Sequence, residues 1–410
     1  MAVGPATMVQ AQASASAPNE NPRGRITLQD ALRLALLQNP ELAGLAWEVR
    51  AREARVLQAG RPLNPWIDAI AEDIGSGRVG EPQTTIQLSQ LIELGGKRAA
   101  REALAGVERD LAGWDREATR IDLLARVASA YVDVLAGQAR LSVAERAEAV
   151  TAQVHATVNA RVDAGVASPI EASRSAVALA SARIDVQRAR RVIEMDRVRL
   201  ATLWGAESPA FDVVSGDLGA TPALPAFDAL RERVSENPEV GRWTAEIALR
   251  DAARAFEQAR RVPDVTVSAG YRRFTSAGGN AWVAGASVPL PFFDRNRAGV
   301  QAADDRLAGA RESQQAARLR VIAALAAAYG ALASAHDEAS ALAADVLPAA
   351  RSAFDAVEEG YRLGRFGFLD VLDAQRTLVG AEARQVDALT AVHRSVANIE
   401  RLTGLPLTAK

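Results

Sequence analysis

Two carboxylates near the C-terminal end of the chain have the spacing of a charged helix face. Asp370 and Asp373 lie three residues apart, so a helix places both on one side. When several copies of such a pair surround an axis, the ring of carboxylates favours cations in a pore. The same pair at a helix start is alternatively a pair of solvated residues that the helix dipole stabilises. Spacing alone leaves both interpretations open.

Few other residues offer chemistry of their own. The sequence has no cysteine and only three histidines, His155, His336 and His393, none with a second metal ligand at recognisable spacing. It also has no Ser/His/Asp set, no phosphate-binding loop and no nucleotide fingerprint. We therefore expect no enzyme activity, no cofactor, no metal site and no acylation at a cysteine.

The composition favours long helices over a mixed globular core. Of the 410 residues, 49% are hydrophobic but only 5% are aromatic, so the apolar content is mostly small and aliphatic. Lys and Arg (48) nearly balance Asp and Glu (50), which argues against a nucleic-acid-binding protein. No uninterrupted apolar stretch reaches the roughly 18 residues of a membrane-spanning helix. Short β-barrel strands give a much weaker signal and stay possible.

An internal duplication organises the chain. Several sets of residues recur in order at an offset of 198 or 199 positions. They are Asn39-Pro40-Glu41 with Asn237-Pro238-Glu239, Pro65 with Pro263, Ala130-Tyr131 with Ala328-Tyr329, Gly165 with Gly364, and Leu203 and Gly205 with Leu402 and Gly404. We infer two structural repeats, 25–205 and 226–410, joined by a proline-containing linker, 206–225. Residues 1–24 are either a disordered segment or the remnant of a leader, because residues 11–17 have Ala-x-Ala spacing.

The apolar spacing predicts the same helices in both copies. In the first copy, helices are expected at about 27–61 and 98–162, followed by a turn at 165–169 and a helix that runs to 203. In the second copy, helices are expected at about 227–261 and 298–363, followed by a turn at 364–367 and a helix at 368–402. Thr27 with Asp30 three positions later resembles a capping box. Pro40 and Pro348 are expected to break or bend their helices.

The two longest helices carry heptad spacing, which is typical of coiled-coil packing. Apolar residues step by three and four in both copies: Leu124, Val127, Tyr131, Val134 and Gln138, and Ile322, Leu325, Tyr329, Leu332 and His336. A helix of some 65 residues is a rod about 100 Å long, which is unusual for a globular domain.

Four short segments alternate between apolar and polar residues, as β-strands do. They lie at about 66–74, 84–92, 264–274 and 281–290, each close to the length of a tilted membrane-spanning strand. Tyr271 and Trp282 are candidates for an interfacial aromatic girdle. The alternative is a pair of ordinary hairpins on a soluble α+β protein. No other segment is predicted to form strands, so four strands cannot close a barrel, whereas three chains would supply twelve.

The order of these elements resembles the TolC family of outer-membrane efflux channels over about residues 25–408. The opening Ile26-Thr27-Leu28 through Asn39-Pro40-Glu41 and the later Leu369-Asp370-Val371-Leu372-Asp373-Ala374 are similar to family motifs. Two further motifs resemble channels of cobalt–zinc–cadmium and copper–silver exporters, the heavy-metal branch. These are Leu94-Gly95-Gly96-Lys97-Arg98 and Ser287-Val288-Pro289-Leu290-Pro291-Phe292-Phe293-Asp294-Arg295-Asn296.

The resemblance implies a mainly α fold with a transmembrane β-barrel. Three chains would form a twelve-stranded barrel in the outer membrane of a Gram-negative bacterium, in contact with its lipid, and a long α-helical tunnel in the periplasm. The homotrimer would meet a periplasmic membrane-fusion adaptor and, through it, an inner-membrane pump of the resistance-nodulation-division type. The channel itself would perform no chemistry.

The resemblance also assigns residues at the tips of the helical hairpins. Asp370, Asp373 and Tyr361 match the periplasmic gate, with Glu171 and Arg174 in the corresponding places of the first copy. Phe366 occupies the position of an arginine that accompanies the tyrosine in well-known members. The adaptor-contact tips would contain Gly165, Gly364, Arg365, Phe366 and Gly367.

Three functions fit the sequence. The leading one is a passive exit duct for divalent heavy-metal cations. The second is a channel of the same family that exports drugs or other organic compounds. The third is a soluble coiled-coil scaffold, which would need no detergent and form no trimeric barrel.

Overall fold

The computed structural model describes residues 21–74, 82–275 and 278–404, so most of the predicted N-terminal segment 1–24 lies outside the described residues. The chain divides into two compact units. The first contains Met1–Ala43, Arg120–Glu232 and Ala324–Lys410, and the second contains Gly44–Thr119 and Arg233–Ala323. Each unit takes segments from both sequence repeats, so the two copies interleave.

The helices and strands of the described residues follow in chain order. The helices are α1 (Leu28–Gln38), α2 (Pro40–Ala59), α3 (Lys97–Asp163), α4 (Pro169–Thr202), α5 (Phe227–Glu232), α6 (Pro238–Ala259), α7 (Arg297–Ala341), α8 (Leu347–Arg362) and α9 (Phe368–Thr403). The strands are β1 (Gly24–Ile26), β2 (Trp66–Glu72), β3 (Gln83–Ile92), β4 (Phe211–Val214), β5 (Val265–Phe274) and β6 (Asn280–Ser287). The predicted outer ends of the helical stretches lie within two residues of the observed ones.

Local side-chain chemistry sets the first helix boundaries. Thr27 and Asp30 form the predicted capping box, in which Thr27 Oγ1 accepts from the Asp30 amide at 3.2 Å and Asp30 Oδ2 accepts from the Thr27 amide at 3.0 Å. The predicted break at Pro40 is also confirmed. Asn39 has an extended backbone, because a residue before proline is disfavoured in the helical region. The repeat has the same break, with Asn237 as the N-cap of α6.

Pro348 interrupts the last long helical run, as expected. Between α7 and α8 lies a five-residue π-helical segment, Leu342–Val346. Proline has no amide hydrogen to donate, and its ring would clash with the carbonyl of Ala344 in a regular helix. The widened π turn accommodates both effects without ending the rod.

The heptad period is confirmed, but its phase is shifted at several positions. The buried residues of α7 and the following turn step alternately by four and three: Val321, Leu325, Ala328, Leu332, Ala335, Ala339 and Leu342. Leu325 and Leu332 belong to the predicted seam, whereas Tyr329 and His336 lie half-buried beside it. In α3, Leu123 is buried in place of Leu124.

Among the described residues, the helical run 297–362 is also long and apolar enough to cross a membrane. The regular buried seam identifies the run as a helix packed against protein.

The prediction that no further segment forms strands is wrong. In the first unit, β1 and β4 form a short parallel sheet, and β4 lies within the predicted linker 206–225. The Tyr131 hydroxyl donates to the backbone of this region, 3.1 Å from the Ile26 carbonyl oxygen. Trp204 and Phe211 are fully buried beside it, with ring centroids 5.9 Å apart. These strands have three and four residues, too few for an alternating pattern to be recognised.

The second unit contains the predicted hairpins as one antiparallel sheet in the order β2-β3-β5-β6. Its two faces differ as the alternation predicted. Thr85 and Ser89 are buried on the polar face, whereas Ile86 and Leu88 are 56% and 53% exposed on the apolar face. Among the described residues, β2 and β6 each have one edge without a partner strand.

A charged cluster in the first unit gives a matched pair of stability predictions. Asp133 on α3 accepts from Arg394 Nε at 2.7 Å. Burial raises the pKa of Asp196 on α4, and the negative charge of Asp133 raises it further. The pKa of Asp196 is therefore higher in the folded state than in the unfolded state. Protonated Asp196 adds to the free energy of unfolding when the pH is below the unfolded-state pKa, and this contribution is lost as the pH rises through the folded-state pKa.

We therefore expect opposite outcomes for Asp133→Asn and Asp196→Asn. The first leaves the half-exposed Arg394 without its carboxylate and should cost about 1 kcal/mol, which lowers the midpoint of heat unfolding by about 1–2 °C. The second removes a charge that burial disfavours and should leave the midpoint at neutral pH unchanged or higher. Circular dichroism melts of both variants test this. A larger loss for Asp196→Asn than for Asp133→Asn would contradict the assignment.

Candidate functional site

Two tight reversals in the first unit form the hairpin tips. One joins α3 to α4 and the other joins α8 to α9, and each contains a glycine in the left-handed region, Gly165 at φ 73° and Gly364 at φ 75°. Only glycine adopts this conformation without strain, which explains its presence in both copies. The following helices start with side-chain caps, from Ser168 at α4 and from Asp370 at α9.

Tyr361 lies buried just before the second reversal and contacts helices from both hairpins. Its hydroxyl donates to Glu171 Oε2 of α4 at 3.5 Å. Arg161 of α3 stacks on its ring, with the guanidinium carbon 4.5 Å from the ring centroid, and donates to the Tyr361 carbonyl oxygen. Phe368 of α9 packs against it at a centroid distance of 6.4 Å. We call Arg161, Glu171, Tyr361 and Phe368 the tyrosine cluster.

The cluster holds the phenol in its neutral, donating form. Burial raises the pKa of Tyr361, the positive charge of Arg161 lowers it, and the negative charge of Glu171 raises it again. The hydroxyl therefore keeps its proton at neutral pH and can donate to the Glu171 carboxylate. Tyr361 thus links the two hairpins through its side chain and its backbone.

Arg161 is the residue that sequence reasoning missed. The resemblance indicated an arginine at the position of Phe366, which is exposed and lies over Gly360, where an added Cβ would approach its ring to 2.2 Å. The arginine that contacts the tyrosine comes from α3 instead, 200 positions earlier. The internal repeat could have suggested it, because Arg161 and Tyr361 occupy nearly equivalent places before the two reversals.

The paired carboxylates have different surroundings, although both are exposed. Asp370 Oδ2 accepts from the Gly367 amide at 2.8 Å, so it caps α9. Asp373 lies one turn further along α9 and lines a groove of about 1010 Å³ with Arg174 and Arg376. The two predicted roles are therefore not exclusive, since Asp370 stabilises the helix start and Asp373 faces the groove.

The same groove offers a mixed surface beside the tips. Apolar side chains of α4 and α9 line it, and several are exposed: Ile170, Val177 and Leu369. The predicted tip residues Arg365, Phe366 and Gly367 are exposed in the adjoining turn. The predicted adaptor-contact residues therefore lie at the surface of the first unit.

Two of the three histidines have ordinary hydrogen-bond partners. His155 Nδ1 lies 2.7 Å from Ser175 Oγ, and His393 Nε2 lies 2.9 Å from the Leu218 carbonyl oxygen. Among the described residues, no group of three or more His, Cys, Asp or Glu side chains has the arrangement of a metal site.

The predicted aromatic pair lies on the apolar face of the second unit's sheet. Tyr271 and Trp282 are cross-strand partners of β5 and β6, with ring centroids 5.6 Å apart and an edge-to-face arrangement. Trp282 is 86% exposed and Tyr271 is 42% exposed. Aromatic residues so exposed on an apolar sheet face are typical of a membrane interface.

Comparison with known proteins adds the decisive observation. The model of the outer membrane efflux protein family matches residues 31–206 and, separately, residues 229–405. The chain belongs to the outer membrane efflux protein family. This membership confirms the predicted resemblance and the predicted outer-membrane location. It gives no support to the alternative of a soluble scaffold.

Two relatives of this outer membrane efflux protein are more than 30% identical to it. The cobalt-zinc-cadmium resistance protein CzcC of Cupriavidus metallidurans is 34% identical over 93% of this chain and 90% of its own length. The nickel and cobalt resistance protein CnrC of the same organism is 31% identical over 71% of this chain and 69% of its own length.

Solved structures show the fold of this outer membrane efflux protein. The CusC channel superposes with a TM-score of 0.79 at 18% identity, covering 92% of each chain. The outer-membrane channel OprN superposes with a TM-score of 0.76 at 21% identity, covering 98% of each chain. The predicted mainly α channel fold is thereby confirmed.

Proposed function

We propose that this chain is one of three identical subunits of a passive exit duct for divalent heavy-metal cations. The observation that carries the proposal is the open sheet of the second unit, which has one polar face, one exposed apolar face and two edges without a partner strand among the described residues. Such a sheet is unstable alone in either water or lipid, because its edge amides and carbonyls need partners. The channel acts by passage and not by catalysis.

Strand direction allows further copies of the chain to close the sheet. The four strands alternate in direction, so β6 of one copy runs antiparallel to β2 of the next. Three copies then supply twelve strands with no free edge, an even number as in other bacterial barrels. The polar face with Asp68, Thr85, Ser89 and Arg272 would line the lumen, and the face with Ile86 and Trp282 would meet lipid.

The gate in this proposal is the ring of hairpin tips. Three copies bring six carboxylates, from Asp370 and Asp373, around one axis, where they favour cations and repel one another. The tyrosine cluster holds the tips of each copy together against this repulsion. The exposed groove and turn beside them fit the periplasmic adaptor, which connects the duct to a pump of the resistance-nodulation-division type in the inner membrane.

The cargo is proposed from the relatives. CzcC is named for cobalt, zinc and cadmium resistance, and CnrC for nickel and cobalt resistance. An alternative cargo is an organic compound, because the pyoverdine export protein OpmQ of Pseudomonas aeruginosa is 27% identical over 93% of this chain. An acidic constriction favours the cations.

Single-channel recordings of the purified protein in planar bilayers test the duct and its selectivity. For the wild type we expect a small, cation-selective conductance that added divalent cations block. The Asp370→Asn/Asp373→Asn double variant should lose most of the selectivity and the block, because six negative charges leave the axis. The matched control is Asp337→Asn/Asp345→Asn, which removes the same charge from exposed positions of the α7 run.

Each other outcome has a definite meaning. A pore whose selectivity responds equally to both double variants would contradict the acidic gate. Protein that is monomeric and needs no detergent would contradict the duct itself.

A growth assay tests the cargo. In cells that lack their own heavy-metal exporter, the wild-type channel together with its adaptor and pump should restore growth on zinc, cobalt or cadmium. Restored export of an organic compound alone would favour the alternative cargo.

A further inference from the structure

The junction between β6 and α7 exposes more apolar surface than a soluble loop would. Leu290 is 68% exposed, Phe292 is 71% exposed and Phe293 is fully exposed. These residues follow the last paired residue of β6, and the Phe292 amide donates to the Leu290 carbonyl oxygen at 2.9 Å in a tight turn. Exposed apolar side chains therefore lie next to the end of β6, directly after the strand that carries Trp282.

Exposed arginines flank the same end of the sheet. The ladders place the start of β2, the end of β3, the start of β5 and the end of β6 together, so the segments 61–65, 93–98, 260–264 and 288–297 share this end. Arg61, Arg98 and Arg297 are exposed here and form no ion pair with any residue that the structure describes. Of the acids in these segments, Glu93 pairs with Arg101, Asp264 pairs with Lys97, and Asp294 Oδ1 accepts from the Asn296 amide at 2.8 Å.

We infer that this junction is a lipid-anchoring rim that binds the phospholipid leaflet on the periplasmic side of the outer membrane. Leu290, Phe292 and Phe293 would lie in the boundary between headgroups and acyl chains, and Arg61, Arg98 and Arg297 would bind phosphate groups of anionic phospholipids. Apolar and aromatic side chains beside unpaired arginines are the chemistry of an interfacial anchor. The inference rests on the proposed function, since the rim is the helix-proximal border of the proposed barrel.

The absence of cysteine makes the apolar half directly testable. A single nitroxide can be attached to this 410-residue chain at Phe293→Cys without labelling any other position of it. Two matched positions complete the set: Ile86→Cys, on the apolar sheet face, and Leu319→Cys, exposed on α7 away from the sheet. The proteins are reconstituted in phosphatidylcholine vesicles that contain phosphatidylglycerol. Electron paramagnetic resonance then compares collisions with oxygen, which partitions into lipid, and with a water-soluble nickel chelate.

We expect the oxygen-to-nickel ratio at position 293 to be several-fold higher than at 319 and below that at 86. Equal ratios at positions 293 and 319 would overturn the lipid-anchoring rim. If the ratio at position 86 were high in the same experiment, the proposed barrel would still stand. A label at 293 that is shielded from both reagents would replace lipid with a neighbouring subunit as the occupant. A low ratio at 86 as well would refute the barrel itself, so the two failures are distinguishable.

The arginine half has its own experiment. Trimers reconstituted in mixed phosphatidylcholine and phosphatidylglycerol are re-extracted, and the co-purified lipids are measured by mass spectrometry. The wild type should enrich phosphatidylglycerol over the bulk mixture, and Arg98→Gln/Arg297→Gln should lose most of that enrichment. The control is Arg318→Gln/Arg320→Gln, which removes two exposed arginines of α7 that also form no ion pair among the described residues. Equal enrichment in both double variants would overturn the phosphate contacts.

Discussion

An Arg161→Ala variant is expected to conduct several-fold more current than the wild type in planar bilayers. Arg161 is the member of the tyrosine cluster that contacts both the ring and the backbone of Tyr361. Its removal eliminates a cation–π contact and a charge-assisted hydrogen bond, which are worth about 1–3 kcal/mol together. Near the tip, the weak Tyr361–Glu171 bond is then the polar contact of the cluster that remains beside the apolar packing of Val158 against the second hairpin, while the proposed carboxylate ring still pushes the tips apart.

Three further variants separate the cluster from a general effect on the tip. Arg161→Lys keeps the charge but loses the planar stack, so its conductance should lie between the wild type and alanine. Tyr361→Phe removes only the hydroxyl contact with Glu171 and should have a smaller effect than Arg161→Ala. Arg365→Ala removes an exposed arginine from the same turn and should behave as the wild type. Equal leakage from Arg161→Ala and Arg365→Ala would contradict the role given to the cluster.

A Gly270→Val variant is expected to abolish assembly of the channel. Gly270 lies in β5 opposite Gln87, and a Cβ added there would lie 2.6 Å from the Gln87 Cβ and 2.6 Å from the Ile86 carbonyl oxygen. Because both contacts are to neighbouring strand backbone or its first side-chain atom, the β3–β5 ladder would have to separate. This ladder joins the two hairpins, so its loss leaves two isolated hairpins with no stable sheet.

The measurement is the amount of heat-modifiable trimer in the outer-membrane fraction on semi-native gels. Gly270→Val should reduce it to background. The matched control is Ala269→Val, which adds apolar volume at the neighbouring position on the exposed face of the same strand. Normal trimer levels for Gly270→Val would show that the close approach at β3 and β5 is not needed for assembly.

Regular periodicity made most of the fold predictable from sequence. The long helices and the four-stranded hairpins extend over many residues, so apolar spacing fixed their type and nearly their ends. The capping box at Thr27 and the breaks at Pro40 and Pro348 were predictable because their chemistry is local. The β1–β4 sheet was not predictable, because a few residues of strand carry no period and their pairing partner lies far along the chain.

The candidate site was predictable only in part, for a related reason. Asp370 and Asp373 belong to one short motif, and Tyr361 lies only nine positions before Asp370, so a local resemblance is enough to indicate all three. Arg161 reaches the same site from another hairpin, and its contact depends on how α3 and α8 pack. The heptad phase is limited in the same way. The predicted step of three residues from Tyr329 to Leu332 fits the heptad, but helix packing buries Ala328 and leaves Tyr329 half-buried.

The two edges of the sheet, which have no partner strand in the part of the chain that the structure describes, have a genetic consequence. If β6 of each subunit must pair with β2 of the next, a single defective edge leaves the whole ring unclosed. A cell that makes equal amounts of a normal chain and an edge-defective chain that still joins trimers would contain only about one fully normal trimer in eight. Alleles that damage these edges should therefore be dominant over the normal gene, whereas alleles that prevent the chain from folding at all should be recessive.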